Sequence, residues 1–341
     1  MNVGGVPSPR ICRGLAGPPT SGTVLLLMSS RSVAVIDIGS NSIKVLIASR
    51  AAEGGVAPVS FHTVDARIGA GISKSEPRLS EEGMQRGVDA IRALLAHAAP
   101  YKPGQTVLVA TSAVRDARNG DEFRAKVRAA TGHDIRILSG NEEANLIGRG
   151  LTCDTALRDL RDFYVLDLGG GSLECLAFRH RHIEQALSLQ LGCVRLTEKF
   201  VADPSAPFSR ASQSQIADHT RAVLAQSGFR FSLGELAATV GTGGTVTSVR
   251  AILGAREEKS FESTSATITT AQLSELLTWI GALPLEERKK VPGLPAARAD
   301  VFPTALATFL AVAEIGRITA FRNSLFNLRY GVAAELLGPT L

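Results

Sequence analysis

Short apolar runs that end in glycine-rich turns divide the chain into two similar halves. In the first half the pattern predicts a hairpin and a third strand, followed by helices that alternate with buried strands. The same succession begins again after residue 160. A repeat of this kind is typical of two α/β domains. The predicted strands are 33–38, 43–48, 56–64, 106–110, 135–138, 163–168, 173–178, 183–189 and 318–326. The predicted helices are 81–98, 120–130, one that opens at 142, 195–202, 211–226, 244–253, 270–281, 297–317 and 329–337.

Three of the turns have the composition of a phosphate-binding loop. The first runs from Asp37 to Ser42, the second from Asp167 to Ser172 and the third from Gly241 to Thr245. A strand that ends in glycines leaves backbone N–H groups exposed to an anion, with no side chain between them. The first two turns lie about one domain length apart. We therefore expect them to face each other, one from each half, and to hold a phosphate chain between them.

Carboxylates beside these turns are the candidates for catalysis and for a metal ion. Asp37 ends the first strand of one hairpin, and Asp167 and Glu174 flank the turn of the other. Mg²⁺ prefers one or two carboxylates, several waters and phosphate oxygens, so these three residues are candidate ligands. Glu142 and Glu143 open a helix, where acidic residues also complement the helix dipole. Successive helical positions diverge by roughly 100°, so one of the two can face the cleft while the other caps the helix or faces solvent.

Arg115 follows the predicted strand 106–110, at a strand end where ligands collect in α/β folds. Its guanidinium can bind phosphate oxygens, with a surface ion pair as the alternative. Lys44 is expected on the exposed face of its strand, and Asn119 and Glu122 have the spacing of a helix capping box. Three weaker basic candidates, each more simply interpreted as structural, are Arg67, Arg195 and Arg329.

Composition excludes several classes of site. No C-x-x-C pairs the four cysteines, and His180 and His182 have no third ligand nearby, so zinc is not expected. The serines of the turns have no adjacent histidine, and no Walker-A pattern occurs. Aromatic residues make up 5% of the chain with a single tryptophan, which disfavours nucleic-acid binding by stacking. The net charge of +5 suits a polyanionic ligand as well as many ordinary enzymes.

The first 30 residues differ from the rest of the chain. They are rich in Gly, Pro and Ser and lack periodicity, which indicates a disordered or mis-annotated extension with Met28 as the natural start. Their longest apolar run, Val24 to Met28, is too short for a signal peptide or a membrane span. Together with the unpaired cysteines, this favours a reducing cytoplasm and no membrane partner.

Five motifs in this order resemble the exopolyphosphatase/guanosine pentaphosphatase (Ppx/GppA phosphatase) family, over about residues 31 to 340. The resemblance implies an α/β fold of two actin-like ATPase (ribonuclease H-like) domains flanking a central cleft. Residues 31–139 would form the first domain, joined by the closing helix 327–341, and residues 140–326 the second. The motifs are Asp37-Ile38-Gly39-Ser40-Asn41-Ser42, Thr111-Ser112-Ala113-Val114-Arg115-Asp116-Ala117, Ser139-Gly140-Asn141-Glu142-Glu143-Ala144, Asp167-Leu168-Gly169-Gly170-Gly171-Ser172 and Gly241-Thr242-Gly243-Gly244-Thr245.

The same resemblance implies roles for individual residues. Glu143 would be the general base that activates water, with Arg115 adding positive charge at the phosphate. Asp167 and Glu174 would hold Mg²⁺, with Asp37 as a further candidate ligand. Phosphate would be bound by Gly39, Ser40, Asn41, Ser42, Gly169, Gly170, Gly171, Ser172, Gly241, Thr242, Gly243 and Gly244.

The expected reaction is Mg²⁺-dependent release of orthophosphate from the end of inorganic polyphosphate, with guanosine pentaphosphate as the alternative substrate. The resemblance also suggests a homodimer and a short family member without the C-terminal helical domain. Tyr330 stands where the family usually has an acidic residue. Two rival functions are an ATP-dependent kinase of the same superfold and a non-enzymatic sensor of guanosine tetra- or pentaphosphate.

Overall fold

Two mixed β-sheets, one from each half of the chain, form the frame of the molecule. The computed structural model describes residues 32–52, 54–234 and 237–338, so the expectations for residues 1–30 lie outside the described residues. Within those ranges no helix is both long and apolar enough to cross a lipid bilayer.

The first sheet has the order β3-β2-β1-β4-β5. Its first three strands are antiparallel neighbours, and the last two run parallel to β1. Its strands are β1 (Val33–Ile38), β2 (Ile43–Arg50), β3 (Val56–Val64), β4 (Gln105–Ala110) and β5 (Ile135–Ile137). Its helices are α1 (Glu81–Ala98), α2 (Ser112–Arg115) and α3 (Gly120–Thr131).

The second sheet repeats this plan, with β10 added at one edge to give the order β10-β11-β9-β6-β7-β8. Again three consecutive strands are antiparallel, and two later strands run parallel to the first of them. This repeated topology confirms the predicted fold class. The strands are β6 (Phe163–Leu168), β7 (Leu173–Arg179), β8 (His182–Leu189), β9 (Ala238–Thr242), β10 (Thr267–Thr269) and β11 (Ala320–Asn323). The helices are α5 (Cys193–Phe200), α6 (Arg210–Ser227), α7 (Gly243–Arg256), α8 (Thr270–Gly281), α9 (Leu285–Arg288) and α10 (Phe302–Gly316).

Two helices connect the sheets: α4 (Gly140–Thr152) packs on β7 and β8, and α11 (Leu328–Leu337) packs on β1 and on α4. Glycines allow these helices to approach until their backbones touch. A Cβ at Gly150 would collide with the carbonyl oxygen of Asn327, and one at Gly331 with that of Leu146. Both helices contribute to a core shared by the two sheets. Because this core joins the two halves, it does not mark where one domain ends, and the domain limits at 139/140 and 326/327 stay a prediction.

Several element boundaries differ from the sequence prediction. The side chain of Asn119 does not cap α3, because its amide exchanges hydrogen bonds with the backbone of Leu79 instead. The helix predicted at 297–317 begins only at Phe302, with Pro303 in its first turn, where proline is well tolerated. The short elements α2, α9 and β10 were not predicted.

The contact between α4 and α11 generates a stability prediction. We expect Gly150→Ala to lower the free energy of unfolding by about 1–3 kcal/mol, since the added methyl group must displace the backbone of Asn327. Gly281→Ala is the matched control, because its nearest neighbours lie 3.6 Å and more from the added atom. That variant should be neutral or stabilising by up to about 1 kcal/mol. Chemical unfolding of both variants measures the difference; equal stabilities would contradict the close contact.

Candidate active site

A small cleft is lined by the β1–β2 turn, the β6–β7 turn and the start of α7. It brings together most of the residues selected from the sequence. Those that line it are Asp37, Gly39, Ser40, Asn41, Ser42, Glu143, Asp167, Gly169, Gly170, Ser172, Glu174, Gly243 and Gly244. Four selected residues are not part of the lining: Arg115, Gly171, Gly241 and Thr242.

The two hairpin turns face each other closely, as expected. Each is closed by one backbone bond, from Gly39 N to Ser42 O (3.3 Å) and from Gly169 N to Ser172 O (3.0 Å). A Cβ at Gly170 would lie 2.9 Å from that of Ser40, so a larger residue there would push the turns apart. The glycines thus permit the contact between the turns, while phosphate binding by them stays a prediction.

The third turn reaches the cleft through only part of its length. Gly241 and Thr242 are the last residues of β9 and lie in the sheet. Gly243 lies against Oδ1 of Asp167, and a Cβ at Gly244 would be 2.5 Å from Nη1 of Arg298. The absence of side chains at these two glycines therefore makes room for a carboxylate and a guanidinium beside the cleft.

The two hairpins carry different charges at equivalent positions of their strand pairs. Asp37 lies directly opposite Lys44 in the first hairpin, and Asp167 lies directly opposite Glu174 in the second. Residues opposite each other in an antiparallel pair share one face of the sheet and interact directly. Lys44 is half-buried and lines the cleft, so the expectation of an exposed strand face was wrong. The spacing from Asp37 to Lys44 equals that from Asp167 to Glu174, and this equality was the sequence signal for the position of Lys44.

Burial governs the ionisation of the cleft. It raises the pKa of Asp167 to about 6 and that of Glu143 to about 7. The pKa of Glu174 is raised well above its usual range by burial and by the charges of Glu143 and Asp167. Burial and the nearby Arg329 lower the pKa of Lys44 to about 8. Burial thus outweighs the positive charge of Arg115 beside Glu143 and that of Lys44, Arg329 and Arg298 near Asp167.

The phase of α4 separates the two adjacent glutamates. Glu142 closes a capping box: its Oε2 accepts from Ser139 N (2.9 Å), and its own N–H donates to Ser139 Oγ (3.2 Å). Glu143 is 5% exposed and faces the cleft. Arg115 Nη1 donates to Glu143 Oε2 at 2.7 Å and to Leu138 O at 3.1 Å. The guanidinium thus contacts the carboxylate of Glu143, outside the cleft lining.

Further basic and amide side chains line or flank the cleft, and two of them, Arg298 and Asn327, were not selected from the sequence. Arg298 donates from Nη2 to Thr245 Oγ1 (3.1 Å), while its buried Nε has no hydrogen-bond partner. No local signal marks this residue, because it lies in a short 3-10 turn within a predicted helix. Arg329, a weaker candidate, donates to Asp37 Oδ2 at 3.3 Å. Both polar side-chain atoms of Asn41 and Oδ1 of Asn327 are buried and have no hydrogen-bond partner among the described residues.

The carboxylates of the second hairpin suit a magnesium ion better than the carboxylate of the first hairpin does. Among the described residues, no group of three or more His, Cys, Asp and Glu side chains is close enough to hold a metal by itself. Mg²⁺ does not require such a cage, since it takes one or two carboxylates together with waters and phosphate oxygens. Asp167 and Glu174 form a buried pair of like charge, which a cation would relieve. Asp37 already has Arg329 and Lys44 beside it.

The sequence matches the model of the Ppx/GppA phosphatase family over residues 27–339. It is 31% identical over 305 residues to a guanosine-5'-triphosphate,3'-diphosphate pyrophosphatase of Aeromonas salmonicida, a match that covers 89% of this chain and 59% of that protein. A protein of the same name from Aeromonas hydrophila is 30% identical with the same coverage. The chain thus spans about three fifths of the length of these curated relatives.

Solved structures share the fold. An exopolyphosphatase from Cytophaga hutchinsonii superposes with a TM-score of 0.81 at 22% identity, over 90% of this chain and 97% of that one. The Aquifex aeolicus member of the Ppx/GppA family superposes with a TM-score of 0.72 at 24% identity, over 90% of this chain and 98% of that one. The likeness covers both sheets and the helices between them.

The raised pKa of Glu143 predicts how stability depends on pH. The folded protein holds a proton on Glu143 up to about pH 7, whereas the unfolded chain releases it near 4.5. The folded state therefore binds more protons in this window, and its stability falls as the pH rises through it. Between pH 5 and pH 7.5, this group should cost the wild type on the order of 2 kcal/mol of its free energy of unfolding. The Glu143→Gln variant should not show this loss.

Unfolding curves at several pH values, without added divalent cations, measure this effect. Glu142→Gln is the matched control on the same helix, because the pKa of Glu142 is lowered by the hydrogen bond from the backbone of Ser139. The contribution of Glu142 to the free energy of unfolding is lost only as the pH falls below 4.5. If Glu143→Gln has the same slope as the wild type between pH 5 and 7.5, the carboxylate is not perturbed by burial.

Proposed function

Because the chain belongs to the Ppx/GppA phosphatase family, we propose that it hydrolyses the terminal phosphoanhydride bond of inorganic polyphosphate and releases orthophosphate. One observation carries this proposal. The carboxylate of Glu143 lines the same small cleft as the two facing glycine turns. A base and a set of anion-binding backbone groups are thus close enough to act on one phosphoryl group.

Glu143 has the properties of a general base for water. A base works best when its pKa is near the pH of the reaction, and burial raises the pKa of Glu143 to about 7. The bond from Arg115 holds one carboxylate oxygen in place, at 2.7 Å, and leaves the other oxygen without a bond to Arg115. In the proposed mechanism that second oxygen accepts a proton from the water that attacks the terminal phosphorus.

The two turns and the basic side chains bind the phosphate chain. Backbone N–H groups of both turns can approach the phosphate oxygens because glycines line them. Lys44 and Arg298 lie in the same lining and supply positive charge from opposite halves of the chain. Stabilising charge that develops during phosphoryl transfer is the main task of such groups. The amide of Asn41, which has no hydrogen-bond partner among the described residues, is the further candidate donor.

Asp167 and Glu174 are the residues that would hold Mg²⁺. When bound, the ion would neutralise charge on the phosphate oxygens and on the two carboxylates. Ser188 Oγ donates to Glu174 Oε1 at 2.7 Å and fixes the orientation of that carboxylate. We assign Asp37 a different part, because its contact with Arg329 ties α11 to the first hairpin.

The lining of the cleft favours a simple phosphate chain. Among the residues that the structure describes around it, none is aromatic, so nothing offers a stacking surface for a purine. The second candidate is removal of the 5'-terminal phosphate of guanosine pentaphosphate, which the names of the two Aeromonas relatives favour. In that case the base would lie outside the described cleft lining.

Substitution of the proposed base tests the mechanism. Glu143→Gln should lower the rate of phosphate release by about 10²–10⁴-fold, with little change in substrate binding. Glu142→Gln, one residue earlier on the same helix, should retain a rate close to that of the wild type, since it caps the helix and is exposed. A Glu143→Gln rate within a few-fold of the wild type would overturn the assignment.

The substrate is tested by phosphate release from short polyphosphate, long polyphosphate, guanosine pentaphosphate and ATP, each with Mg²⁺ or with a chelator. We expect the highest kcat/KM with polyphosphate and loss of release with the chelator. Faster turnover of guanosine pentaphosphate would select the second candidate. Phosphate transfer from ATP to an added acceptor would point to a kinase, and tight binding without release to a sensor.

A further inference from the structure

Four charged side chains of alternating sign lie in a row beside the cleft. Glu143 contacts Arg115, as described, and the carboxylate of Asp116 lies next, with Oδ1 3.4 Å from Arg115 Nε. The other oxygen of Asp116 accepts from Arg195 Nη2 at 2.5 Å. The proposed mechanism uses only the first two of these residues.

Arg195 connects this row to the β6–β7 turn. It lies in the first turn of α5, and its side chain is largely buried. Nε donates to Gly171 O at 2.9 Å, within the turn of the second hairpin, and Nη1 donates to Ile72 O at 2.8 Å, in the first half of the chain. One guanidinium thus holds the phosphate-binding turn, a loop of the other half and Asp116.

We propose that Asp116 and Arg195 are positioning residues that fix the Arg115–Glu143 pair relative to the β6–β7 turn. The proposal rests on the proposed function, because it assigns the row a part in aligning the base. Each carboxylate of the row contacts a guanidinium, and Asp116 contacts two. The row crosses from α4 to the first half of the chain and then to α5, so it joins elements of both halves.

The geometry of Arg115 explains why a second carboxylate is needed. A guanidinium is planar, and contacts on two of its edges fix the orientation of the plane. Nη1 donates hydrogen bonds to Glu143 and Leu138, and Nε lies 3.4 Å from Oδ1 of Asp116 in an ion pair. Without Asp116 the plane could rotate about its remaining contacts and carry the carboxylate of Glu143 with it. A displacement of about 1 Å in a catalytic group can lower a rate about a hundredfold.

Helix α5, which carries Arg195, also makes a contact between the two halves that does not involve Arg115. Glu198, one turn after Arg195, accepts from Gly71 N (2.7 Å) and Ser73 N (3.1 Å). Substitution of Glu198 weakens contact between the halves but leaves the row intact. It is therefore the matched control for a purely structural effect.

The test compares Asp116→Asn with Glu198→Gln, using phosphate release from polyphosphate with Mg²⁺. We expect Asp116→Asn to lower kcat about ten- to a hundredfold with KM within about threefold, since the base is misplaced while the turns are intact. Glu198→Gln should keep kcat within about threefold of the wild type. Melting temperatures of both variants report whether each has folded.

A double variant separates positioning from general damage. In the Glu143→Gln background the base is already absent, so adding Asp116→Asn should lower the residual rate less than about twofold. If Asp116→Asn does not fold, Arg195→Lys replaces it, because lysine keeps the charge but lacks the planar fork that reaches three acceptors at once.

Three results would overturn the proposal: an unchanged kcat in the single variant, an equal loss in both backgrounds, or an equal loss in the control. These results leave the proposed function standing, provided that Glu143→Gln is impaired. A wild type that releases no phosphate, or a Glu143→Gln variant with full activity, would overturn the proposed function and this proposal with it.

Discussion

The arrangement of the cleft follows from one electrostatic constraint: Glu143, Asp167 and Glu174 are buried around the same small space. Burial favours their neutral forms and raises the pKa of each. Ionised carboxylates in such a place require positive charge from elsewhere. Arg115 supplies it to Glu143 through a direct bond. Among the described residues, neither Asp167 nor Glu174 forms an ion pair comparable to that bond, and this is the physical basis for proposing a cation there.

The excess of negative charge in the second hairpin arises at a position that the two halves share by repetition of one fold. Both halves place an aspartate at the end of a strand and a second charged residue directly opposite it. In the first half the second residue is Lys44, so the pair is neutral; in the second it is Glu174, so the pair carries two negative charges when ionised. Equivalent positions of one fold therefore differ in net charge through a single residue. The β-ladder fixes the geometry, and the residue type decides the charge of the pair.

Local patterns were sufficient for much of this structure. The hairpins, their turns and the divergence of Glu142 and Glu143 follow from periodicity and helix phase, and the structure shows all three. The family resemblance, not the phase, indicated that Glu143 is the one that faces the cleft. Interactions between distant segments were not accessible in the same way. Asn119 bonds to Leu79 rather than capping its own helix, and Arg298 reaches the cleft from a short 3-10 turn with no recognisable motif. Lys44 was misjudged because an isolated strand does not reveal which of its faces is covered by the other half of the chain.

The bare crossing of α4 over α11 limits how the cleft can open. Where side chains separate two helices, small rotamer changes let the helices tilt; at Gly150 and Gly331 main chain rests directly on main chain. Such a junction has no layer of side chains that could absorb a tilt, which favours sliding along the crossing over tilting. Because the first turn of α4 carries Glu143, any such slide also displaces the carboxylate. In the proposed mechanism, in which Glu143 is the base, a shift of α4 relative to α11 therefore moves the base relative to the hairpin turns.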